Sequence, residues 1–519
     1  MGYPRITYNS INVDFDKHFN GFDFWDDDQI FENESASGIT ERLHFYGREY
    51  IRANIERLGS GLIQELREWY RYVRDGSTFA LYWDRDFGLY IPFEGKRLYT
   101  TDDLAGTFAR SGTAYAVDYS TGLVTSYAEN VPRYPEGKYG AGILIEGSST
   151  NYLFPSVDMT HANYTAGFMN VTKETTEVLD PAGTNYANKL AATDTSATIY
   201  NDNTGETITT SDGCYSVWLR SLTDDLSASI SLMSSTAGTL ATESITVTSE
   251  WQRFSVAYNS VGNIGGDWGG VITLTGASDV VYAWGNQIEE GRRYPTGYIP
   301  TTVASAARNN ETLYFDVTHG TEIDMMQGTI SLWVKNPWAY NDNEDDRFFL
   351  HGVDSGGNNV FLFYKNTDGN LSTWIYRANR TNFNSVAASA SSMTANTWHH
   401  ICMTWDCTID NGIKIYLDGS LLATDTNDPF TPATDIDKIY VGSTDTPSDY
   451  GDCVIDDLYI YKQVKNAEWV SMVYNSTHPI GARKNYWSAL ILEGASFHPV
   501  QLRGGNKYDF EFTAKENLT

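Results

Sequence analysis

Short segments in which apolar and polar residues alternate recur along most of this chain, separated by turns rich in Gly, Ser and Thr. Examples are CYSVWLR at 214–220, WQRFSVAY at 251–258 and TISLWVK at 329–335. A period of two places every second side chain on the same face of a β-strand. Strands this short bury an apolar face only by pairing into sheets that pack on one another. The chain is therefore predicted to be mainly β, with β-sandwich domains of the jelly-roll kind.

One segment departs from this pattern. In SGLIQELREWYRYVRDG at 60–76, the apolar residues Leu62, Leu66, Trp69 and Val73 recur at spacings of four, three and four, which places them on one face of a helix. We predict one prominent helix there, within a small α+β attachment domain. The strand pair near the C-terminus is too short for a core of its own and is expected to join this domain.

Two stretches of the chain repeat one plan. TISLWVKN and NTWHHICMTWD, at 329–336 and 396–406, match CYSVWLRS and SEWQRFSVAYN earlier in the chain. The long separation predicts two related sandwich domains rather than a solenoid. The predicted boundaries are an attachment domain at 1–100 plus 484–519, a β-rich connecting module at 101–155, and sandwiches at 156–307 and 308–480.

Charge and composition exclude several classes of function. The formal net charge is −30 and the sequence pI is about 4.5, so the surface repels phosphate backbones and a nucleic-acid partner is not expected. No apolar run is long enough for a membrane span, and the N-terminus does not resemble a secretory signal, which disfavours a secreted adhesin. The four cysteines form no CxxC pair, so neither a zinc site nor a redox motif is indicated.

No arrangement of residues points to catalysis. The acidic pairs Asp456/Asp457 and Glu289/Glu290 are adjacent in sequence, so their side chains point to opposite faces of a strand. Polysaccharide hydrolysis needs two carboxylates that face one groove. Motifs of the GxSxG, HExxH and Walker type are also missing. The chain is therefore predicted to be a binding protein and not an enzyme.

Exposed aromatic residues are the expected means of glycan binding, because aromatic rings stack on the C–H faces of sugars while polar neighbours bond the hydroxyls. Trp374 and Tyr376 alternate on one strand face with Arg377 nearby, although Trp374 could equally be a core residue. The other candidates are Trp338 and Tyr340 in PWAYNDN, and Trp268, which GGDWGG would place in an exposed loop. For a structural Ca²⁺, the candidate ligands are Asp342, Asp345 and Asp456; a solvated acidic loop is the competing interpretation.

Residues 107–156 carry a long ordered pattern in TFARSGTAYAVDYSTGLVTSYAENVPRY and GILIEGSSTNYLFPS. This segment resembles a module of bacteriophage tail and virion proteins. The matching positions are Arg110, Gly122, Asn130, Pro132, Arg133, Glu146, Thr150 and Asn151. The first 100 residues more faintly resemble a phage tail-tip or baseplate attachment unit.

Both sandwiches also carry family patterns. AWGNQIEEGRRYPTGYIPT at 283–301 resembles the closing phrase of the carbohydrate-binding-like domain that accompanies the phage module; the matching residues are Trp284, Gln287, Glu289, Gly291, Tyr298, Pro300 and Thr301. Residues 308–478 resemble the laminin-G/concanavalin A-like sandwich; the matching residues are Trp398, His399, Asp418, Gly419 and Gly442, followed by CVIDDLYIYKQVKNAEWVSMVYN. The latter family often holds a structural calcium.

These resemblances imply a bacteriophage virion structural protein of the tail, tail tip or baseplate that displays lectin-like domains for adhesion to host-surface glycans. Its expected partners are other virion proteins and host cell-surface polysaccharide. It would be assembled in the host cytoplasm as a homo-oligomer, a trimer or a hexamer. Two alternatives stay open at this point: a purely structural or decoration protein of the virion without glycan binding, and a polysaccharide depolymerase.

Overall fold

The structure, a computed structural model, describes side chains within residues 104–173, 178–201, 212–222, 225–259, 266–341, 345–446 and 449–475. Positions 468 and 472 are described by their backbone alone, as are nine strands in the two terminal segments. Met1–Tyr90 and His478–Thr519 form one compact unit, and Ile91–Thr477 form a second.

In the first unit, strands from both ends of the chain share one antiparallel sheet, in the order β2-β1-β5-β34-β36-β4-β3, with β35 beside β36. Its strands are β1 (Arg5–Tyr8), β2 (Ile11–Asp14), β3 (Phe19–Trp25), β4 (Tyr50–Leu58), β5 (Phe79–Tyr82), β34 (Tyr486–Leu492), β35 (Val500–Gln501) and β36 (Tyr508–Glu516). A further strand, β6, is Phe87–Ile91. The helix predicted at 60–76 lies outside the described residues.

The first sandwich of the second unit consists of two five-stranded antiparallel sheets, ordered β12-β15-β20-β17-β18 and β13-β14-β21-β16-β19. The strands are β12 (Thr165–Gly167), β13 (Met169–Lys173), β14 (Asn188–Ala192), β15 (Ala197–Asn201), β16 (Asp212–Ser221), β17 (Leu226–Ser234), β18 (Gly238–Val247), β19 (Gln252–Asn259), β20 (Trp268–Leu274) and β21 (Val280–Glu290). Alternate residues of these strands, such as Leu190, Ile230 and Leu232, fill the space between the sheets.

The second sandwich also has two antiparallel sheets. One contains β10-β33-β24-β29-β30-β31, and the other has the order β28-β27-β26-β25-β32-β23-β7. The strands are β22 (Ala306–Arg308), β23 (Thr312–Asp316), β24 (Gln327–Lys335), β25 (Arg347–Asp354), β26 (Asn359–Lys365), β27 (Asn370–Tyr376), β28 (Phe383–Ser389), β29 (Trp398–Asp406), β30 (Ile413–Leu417), β31 (Ser420–Thr424), β32 (Ile436–Val441) and β33 (Cys453–Tyr461), of which β22 lies outside both sheets.

Residues 101–155, predicted as a connecting module, supply strands to the second sandwich. These residues contain β7 (Thr107–Ala109), β8 (Ala114–Val117), β9 (Val124–Tyr127), β10 (Ile143–Ile145) and β11 (Ser149–Asn151). β7 pairs with β23 and β10 pairs with β33, so this segment extends one sheet and then the other. β8 and β9 form a hairpin, and β11 pairs with β22. The four domain boundaries drawn from the sequence stay a prediction.

The two repeated segments have the same place in their sandwiches. β16 lies between β21 and β19, and β24 lies between β33 and β29. Each strand carries a register shift just before its tryptophan, between Ser216 and Trp218 and between Ser331 and Trp333. A shift of this kind is a β-bulge, which re-aims the side chain beside it.

The mainly β fold class is thus confirmed. The described residues contain one helix, α1 (Ala467–Asn475), which buries Val470 and Val473. Among the described residues there is no helix of a length and apolar character suited to crossing a membrane.

Candidate functional site

A row of aromatic side chains crosses the sheet of the second sandwich that contains β28 and β7. In order across the sheet its members are Tyr314, Tyr440, His351, Phe348, Tyr364, Trp374, Tyr376 and Phe383, and they are called the aromatic row below. They come from six neighbouring strands, β23, β32, β25, β26, β27 and β28. Each ring centroid lies within 6.4 Å of the next, so the eight rings form one continuous row.

Two pairs of rings in the row are stacked face to face. The centroids of Trp374 and Phe383 lie 4.0 Å apart with an interplanar angle of 5°. Phe348 and Tyr364 stack at 4.9 Å with an angle of 8°. Tyr314 and Tyr440 are tilted at 5.4 Å. The stacked pairs hold their rings parallel and close together across neighbouring strands.

Strand alternation explains why these rings share one face. Phe315, Ile439, Phe363 and Ile375 directly follow or precede members of the row in sequence, and all four are fully buried. Because successive side chains of a strand point to opposite faces, these neighbours face the other sheet and the row faces away from it. The row therefore lies on the outer side of its sheet.

The ends of the row are more exposed than its middle. Phe383 is 39% exposed, and Trp374, Tyr376, Tyr314 and Tyr440 are half-buried. In the middle, Phe348, Tyr364 and His351 are buried. Rings that are both fixed by neighbours and open to solvent on one side are the kind that stack on a ligand. The Trp374, Tyr376 and Phe383 end offers the larger accessible aromatic surface.

A series of hydrogen-bonded polar side chains lies alongside the rings. Asn359 Oδ1 lies 2.7 Å from His351 Nε2, and Asn359 Nδ2 donates to the Tyr376 hydroxyl at 3.2 Å. Burial lowers the pKa of His351, which outweighs the raising effects of Asn359 and Asp445, so this imidazole is neutral at pH 7. Arg380 Nη1 donates to the Asn359 carbonyl oxygen at 2.6 Å and so fixes this asparagine at the edge of the row.

Three of the predicted glycan-binding residues lie in or near this region. Trp374 and Tyr376 are members of the row. Arg377, one position further on, has Nε and Nη2 that both donate to Asn384 Oδ1, at 2.9 and 2.8 Å, and its guanidinium lies over Phe430. Since Asn384 pairs with the core residue Ile375, Arg377 is directed away from the rings. Arg377 is near the rings in sequence but on the other side of the strand, because successive side chains alternate between the two faces. Its part in glycan binding stays a prediction.

Two other candidates are core residues. Trp268 was expected in an exposed loop, but it is fully buried as the first residue of β20. Gly213 leaves room for its ring, since a Cβ there would lie 1.7 Å from Trp268 Cζ3. Trp338 is 1% exposed, and its Nε1 donates to the Gly451 carbonyl oxygen at 2.7 Å. Neither tryptophan offers a ring face to a sugar.

Tyr340 is half-buried beside the turn between β26 and β27. A Cβ built on Gly369 would lie 3.0 Å from the Tyr340 carbonyl oxygen and 3.3 Å from its ring. The absence of a side chain at Gly369 therefore allows Tyr340 to lie against this turn.

Two of the three candidate calcium ligands, Asp345 and Asp456, lie within the described residues. Asp342 lies outside the described residues, and Asp345 is exposed near Arg347. Asp456 is fully buried; its Oδ2 accepts from the backbone N–H groups of Lys138 and Tyr139, and its Oδ1 accepts from Asp457. Burial raises the pKa of Asp456 to about 6. In the described ranges no three His, Cys, Asp or Glu side chains are grouped to hold a metal, and the calcium stays a prediction.

Sequence reasoning missed what the charged residues of the 107–156 pattern do. Arg133 and Arg110 both bond to Glu311, at Nη2–Oε2 2.6 Å and Nη1–Oε1 2.7 Å, and Arg133 also reaches Glu146 at 2.7 Å. All four side chains are at most 4% exposed. Burial would lower the pKa of Arg133, but Glu311 and Glu146 raise it above its usual value. We call these four residues the buried joint.

The segment at 283–301, which closes the first sandwich, has a structural role similar to that of the buried joint. Glu289 accepts hydrogen bonds from the Ser149 hydroxyl and the Thr296 backbone, and Gln287 Oε1 accepts from the Ile299 N–H at 2.7 Å. Asn151 Nδ2 donates to the Asn286 and Ile299 carbonyl oxygens. These side chains are all buried, so the pattern fixes the segments at 146–156 and 294–301 onto the sandwich.

The matching residues of the second sandwich are also structural. Asp418 Oδ2 lies 2.9 Å from His399 Nδ1, and its Oδ1 accepts from the His400 N–H. Asp418 and Gly419 form the turn between β30 and β31 with φ of 49° and 76°. Gly442 has a φ of 72°, and a Cβ there would lie 2.8 Å from Ile145 Cβ.

Comparison with known proteins agrees with this fold for one part of the chain. Residues 309–471 match the family model of the concanavalin A-like lectin/glucanases superfamily, as the sequence predicted for 308–478. A search of curated protein sequences gives no match. The second sandwich is thus a lectin-like domain of the concanavalin A type.

Solved structures that are similar include the receptor binding domain of botulinum neurotoxin C/D mosaic serotype, with 16% identity and a TM-score of 0.26 over 32% of this chain and 40% of that chain. The botulinum neurotoxin serotype D ligand binding domain in complex with N-acetylneuraminic acid has 17% identity and a TM-score of 0.26 over 31% and 39%. The chain thus spans about two fifths of the length of these neighbours. Similarity at this level supports no functional argument.

Proposed function

We propose that this protein is a bacteriophage virion protein that binds host-surface glycans, and that the aromatic row of the second sandwich is its glycan-binding face. In this role the protein is an adhesin and not an enzyme. Its partners are other virion proteins and a polysaccharide of the host surface, and it is assembled in the host cytoplasm.

The observation that carries the glycan proposal is the open end of the aromatic row. Trp374 and Phe383 stack at 4.0 Å, and Tyr376 lies 5.4 Å from Phe383, so three rings are held together at the edge of a sheet. A sugar ring that packs against the exposed side of these rings buries its apolar C–H groups. Asn359 and the Tyr376 hydroxyl supply hydrogen-bonding groups beside it. Apolar surface with a few fixed polar groups is typical of a ligand site.

The virion proposal is supported by the pattern in 107–156, which resembles that of phage tail and virion proteins. Arg110, Arg133 and Glu146 of this pattern form the buried joint together with Glu311. The segment at 283–301 packs against the joint, where the Gly297 N–H donates to Glu146. The residues of this pattern therefore join the two sandwiches to each other rather than form a binding site. Such a joint would hold a displayed domain in a fixed direction on a particle.

Binding to host cells tests the glycan proposal. The full chain, carrying a fluorescent label, is incubated with cells of a candidate host and with the polysaccharides purified from their surface. Wild-type protein is expected to bind both, and a Trp374→Ala Phe383→Ala variant is expected to lose most of this binding. Tyr474→Ala is the matched control, because Tyr474 is an aromatic residue that is 37% exposed, similar to Phe383, and it lies on α1 outside the row. Equal binding by the double variant and the wild type would reject the aromatic row as the site.

A second candidate function is a purely structural role in the virion. The β8–β9 hairpin and the loop at 178–186 carry exposed apolar residues: Tyr119 is 47% exposed, Leu123 40%, Leu179 57% and Tyr186 58%. The Leu123 side chain would be 3.0 Å from a Cβ on Gly183, so the hairpin and the loop are in contact. Exposed apolar surface of this kind is typical of protein contacts. Absence of binding to any host glycan, with these residues protected in the assembled particle, would favour this candidate.

A further inference from the structure

We infer that the aromatic row selects neutral glycans over glycans that carry carboxylate or phosphate groups. This inference rests on the proposed function, because it concerns the ligand of the same face. It follows from the charges that surround the rings, which are unbalanced toward acidic groups.

Acidic side chains border the aromatic row along its length. Asp445 Oδ1 lies 3.6 Å from His351 Nδ1, and Asp346, two residues before Phe348, accepts a hydrogen bond at Oδ1 from the Thr367 N–H at 2.9 Å. Burial raises the pKa of Tyr364 and Asp346 raises it further, while burial lowers the pKa of His351 and Asp449 opposes this effect. At the Tyr440 end are Asp316 and Asp437, and at the Phe383 end are Asp354 and Asp435.

The cations beside the row are already engaged by carboxylates. Arg380 pairs with Asp354 at 3.1 Å and with Asp435, and its remaining bonds go to backbone carbonyl oxygens. Lys438 Nζ lies 2.9 Å from Asp437 and 4.0 Å from Asp316. Lys365 is fully buried and lies over Trp338, away from the exposed rings. His351 adds no charge at neutral pH, because burial lowers its pKa.

The balance of charge at the row is therefore negative in the described part of the chain. Seven aspartates stand against two accessible cations, Arg380 and Lys438, and both cations are paired. The whole chain has the same sign, with a formal net charge of −30. An anionic group placed on the rings would be repelled by these like charges, and added salt would screen part of that repulsion.

A neutral sugar is attracted to this face rather than repelled by it. Its C–H groups stack on the rings, and its hydroxyls donate to carboxylates, which form stronger hydrogen bonds than uncharged acceptors. The amide of Asn359 and the hydroxyl of Tyr376 add one further pair of donor and acceptor groups. The same aspartates that repel an anionic glycan thus favour the hydroxyl groups of a neutral one. Asp445 and Asp346 are the specificity-determining residues in this account.

Matched pairs of glycans test this selectivity. An acidic host polysaccharide is compared with its carboxyl-reduced form, in which carbodiimide activation and borohydride reduction convert each uronate carboxylate to a primary alcohol. A glycan array that carries neutral oligosaccharides beside their sialylated forms supplies a second set of pairs. For the full-length wild-type chain at low salt, we expect the neutral member to bind at least about tenfold more tightly, a difference of about 1.4 kcal/mol. This preference should shrink as salt screens the aspartates.

The variant Asp346→Asn Asp445→Asn removes two charges while it keeps the shape and one acceptor oxygen of each side chain. We expect it to bind the acidic members about tenfold more tightly than the wild type does, and the neutral members less tightly, because an amide oxygen accepts a weaker hydrogen bond than a carboxylate does. Asp410→Asn, in the turn between β29 and β30, is the control and should leave both affinities unchanged.

The possible results distinguish a failure of the selectivity from a failure of the proposed glycan-binding function. Wild-type protein that binds acidic members as well as neutral ones, or an Asn variant with unchanged selectivity, would overturn the inference but leave glycan binding intact. If no member of any pair binds and Trp374→Ala has no effect, the proposed function itself fails. A neutral preference that the Asn variant abolishes supports both.

Discussion

The Arg133 guanidinium bonds to the Glu311 carboxylate across 178 positions of sequence, with Nη2–Oε2 at 2.6 Å and Nε–Oε1 at 2.9 Å. Both side chains are fully buried. This two-point contact ties the segment at 107–156, which resembles a phage module, to the chain just before β23. A buried Arg–carboxylate pair with two parallel bonds fixes orientation as well as distance.

Removal of Arg133 is expected to destabilise the second unit. Arg133→Met leaves Glu311 and Glu146 buried without their main partner, and such a loss costs about 3–5 kcal/mol. Urea unfolding followed by tryptophan fluorescence measures the change. Arg293→Met removes the partly exposed pair with Asp212 and should cost about 1 kcal/mol or less. Equal losses for the two variants would contradict a dominant structural role for the buried joint.

Acid should weaken the fold through Asp452. Burial alone would raise the pKa of Asp452, but Arg292 and Arg347 hold it well below its ordinary value. A carboxyl with a lowered folded-state pKa stabilises the fold above its unfolded-state pKa, and this stabilisation is lost as the pH falls toward the folded-state pKa. We expect the wild-type free energy of unfolding to decline below about pH 4.

Asp452→Asn should be less stable than the wild type at pH 7 and should show a flatter decline in acid. Urea unfolding at pH 7, 5, 4 and 3 gives both profiles. Asp316→Asn, whose side chain is 71% exposed, should follow the wild-type profile. An Asp452→Asn profile with the same slope as the wild type would show that this carboxyl does not carry the acid sensitivity.

Substitution of Gly442 is expected to destabilise the fold for two separable reasons. Its φ of 72° strains any other residue, and a Cβ would lie 2.8 Å from Ile145 Cβ. Gly122 has a similar φ of 67°, with nothing within 4 Å of a built Cβ. Gly122→Ala should therefore cost about 1 kcal/mol, and Gly442→Ala about 2 kcal/mol more. Thermal unfolding of both variants measures the difference, and equal losses would contradict the close approach of β10.

Aromatic residues of the core and of the row should differ in what they control. Trp268→Ala empties a buried site and should cost about 3–5 kcal/mol of stability, with no effect on glycan affinity in the protein that remains folded. Phe383→Ala should cost about 1 kcal/mol and reduce glycan affinity about tenfold. Calorimetric unfolding and binding measurements on both variants test this. A loss of affinity only in Trp268→Ala would place the site in the first sandwich.

The sequence predicted the mainly β fold, because alternation along a strand is a local property that leaves a regular pattern. It also placed Trp374 and Tyr376 on one face for that reason. The concanavalin-like second sandwich was predicted from the resemblance of residues 308–478 to that family, which the family model at 309–471 supports. The sequence failed for Trp268, because the room for this ring comes from Gly213 on a different strand. Contacts between residues far apart in sequence leave no periodic signal.

The same limit applies to the aromatic row as a whole. Tyr314, Tyr440 and Phe348 have no common spacing with Trp374, and only the sheet order brings β23, β32 and β25 beside one another. The buried joint was visible as a pattern of Arg110, Arg133 and Glu146, but not as ion pairs. Glu311, which completes the joint, lies outside that pattern. The sequence did contain one signal for the buried joint: charged residues that lie next to apolar strand residues. Such charged residues indicate buried ion pairs.

A crystal structure of the protein soaked with a neutral oligosaccharide selected from the array tests the central claim most directly. The account predicts a pyranose ring packed against the exposed side of the Trp374–Phe383 pair, within about 4 Å of its ring atoms, with hydroxyls bonded near Asn359. It also predicts that crystals of Trp374→Ala Phe383→Ala show no sugar there. A sugar bound in the first sandwich, or one still bound in the double variant, would contradict the account.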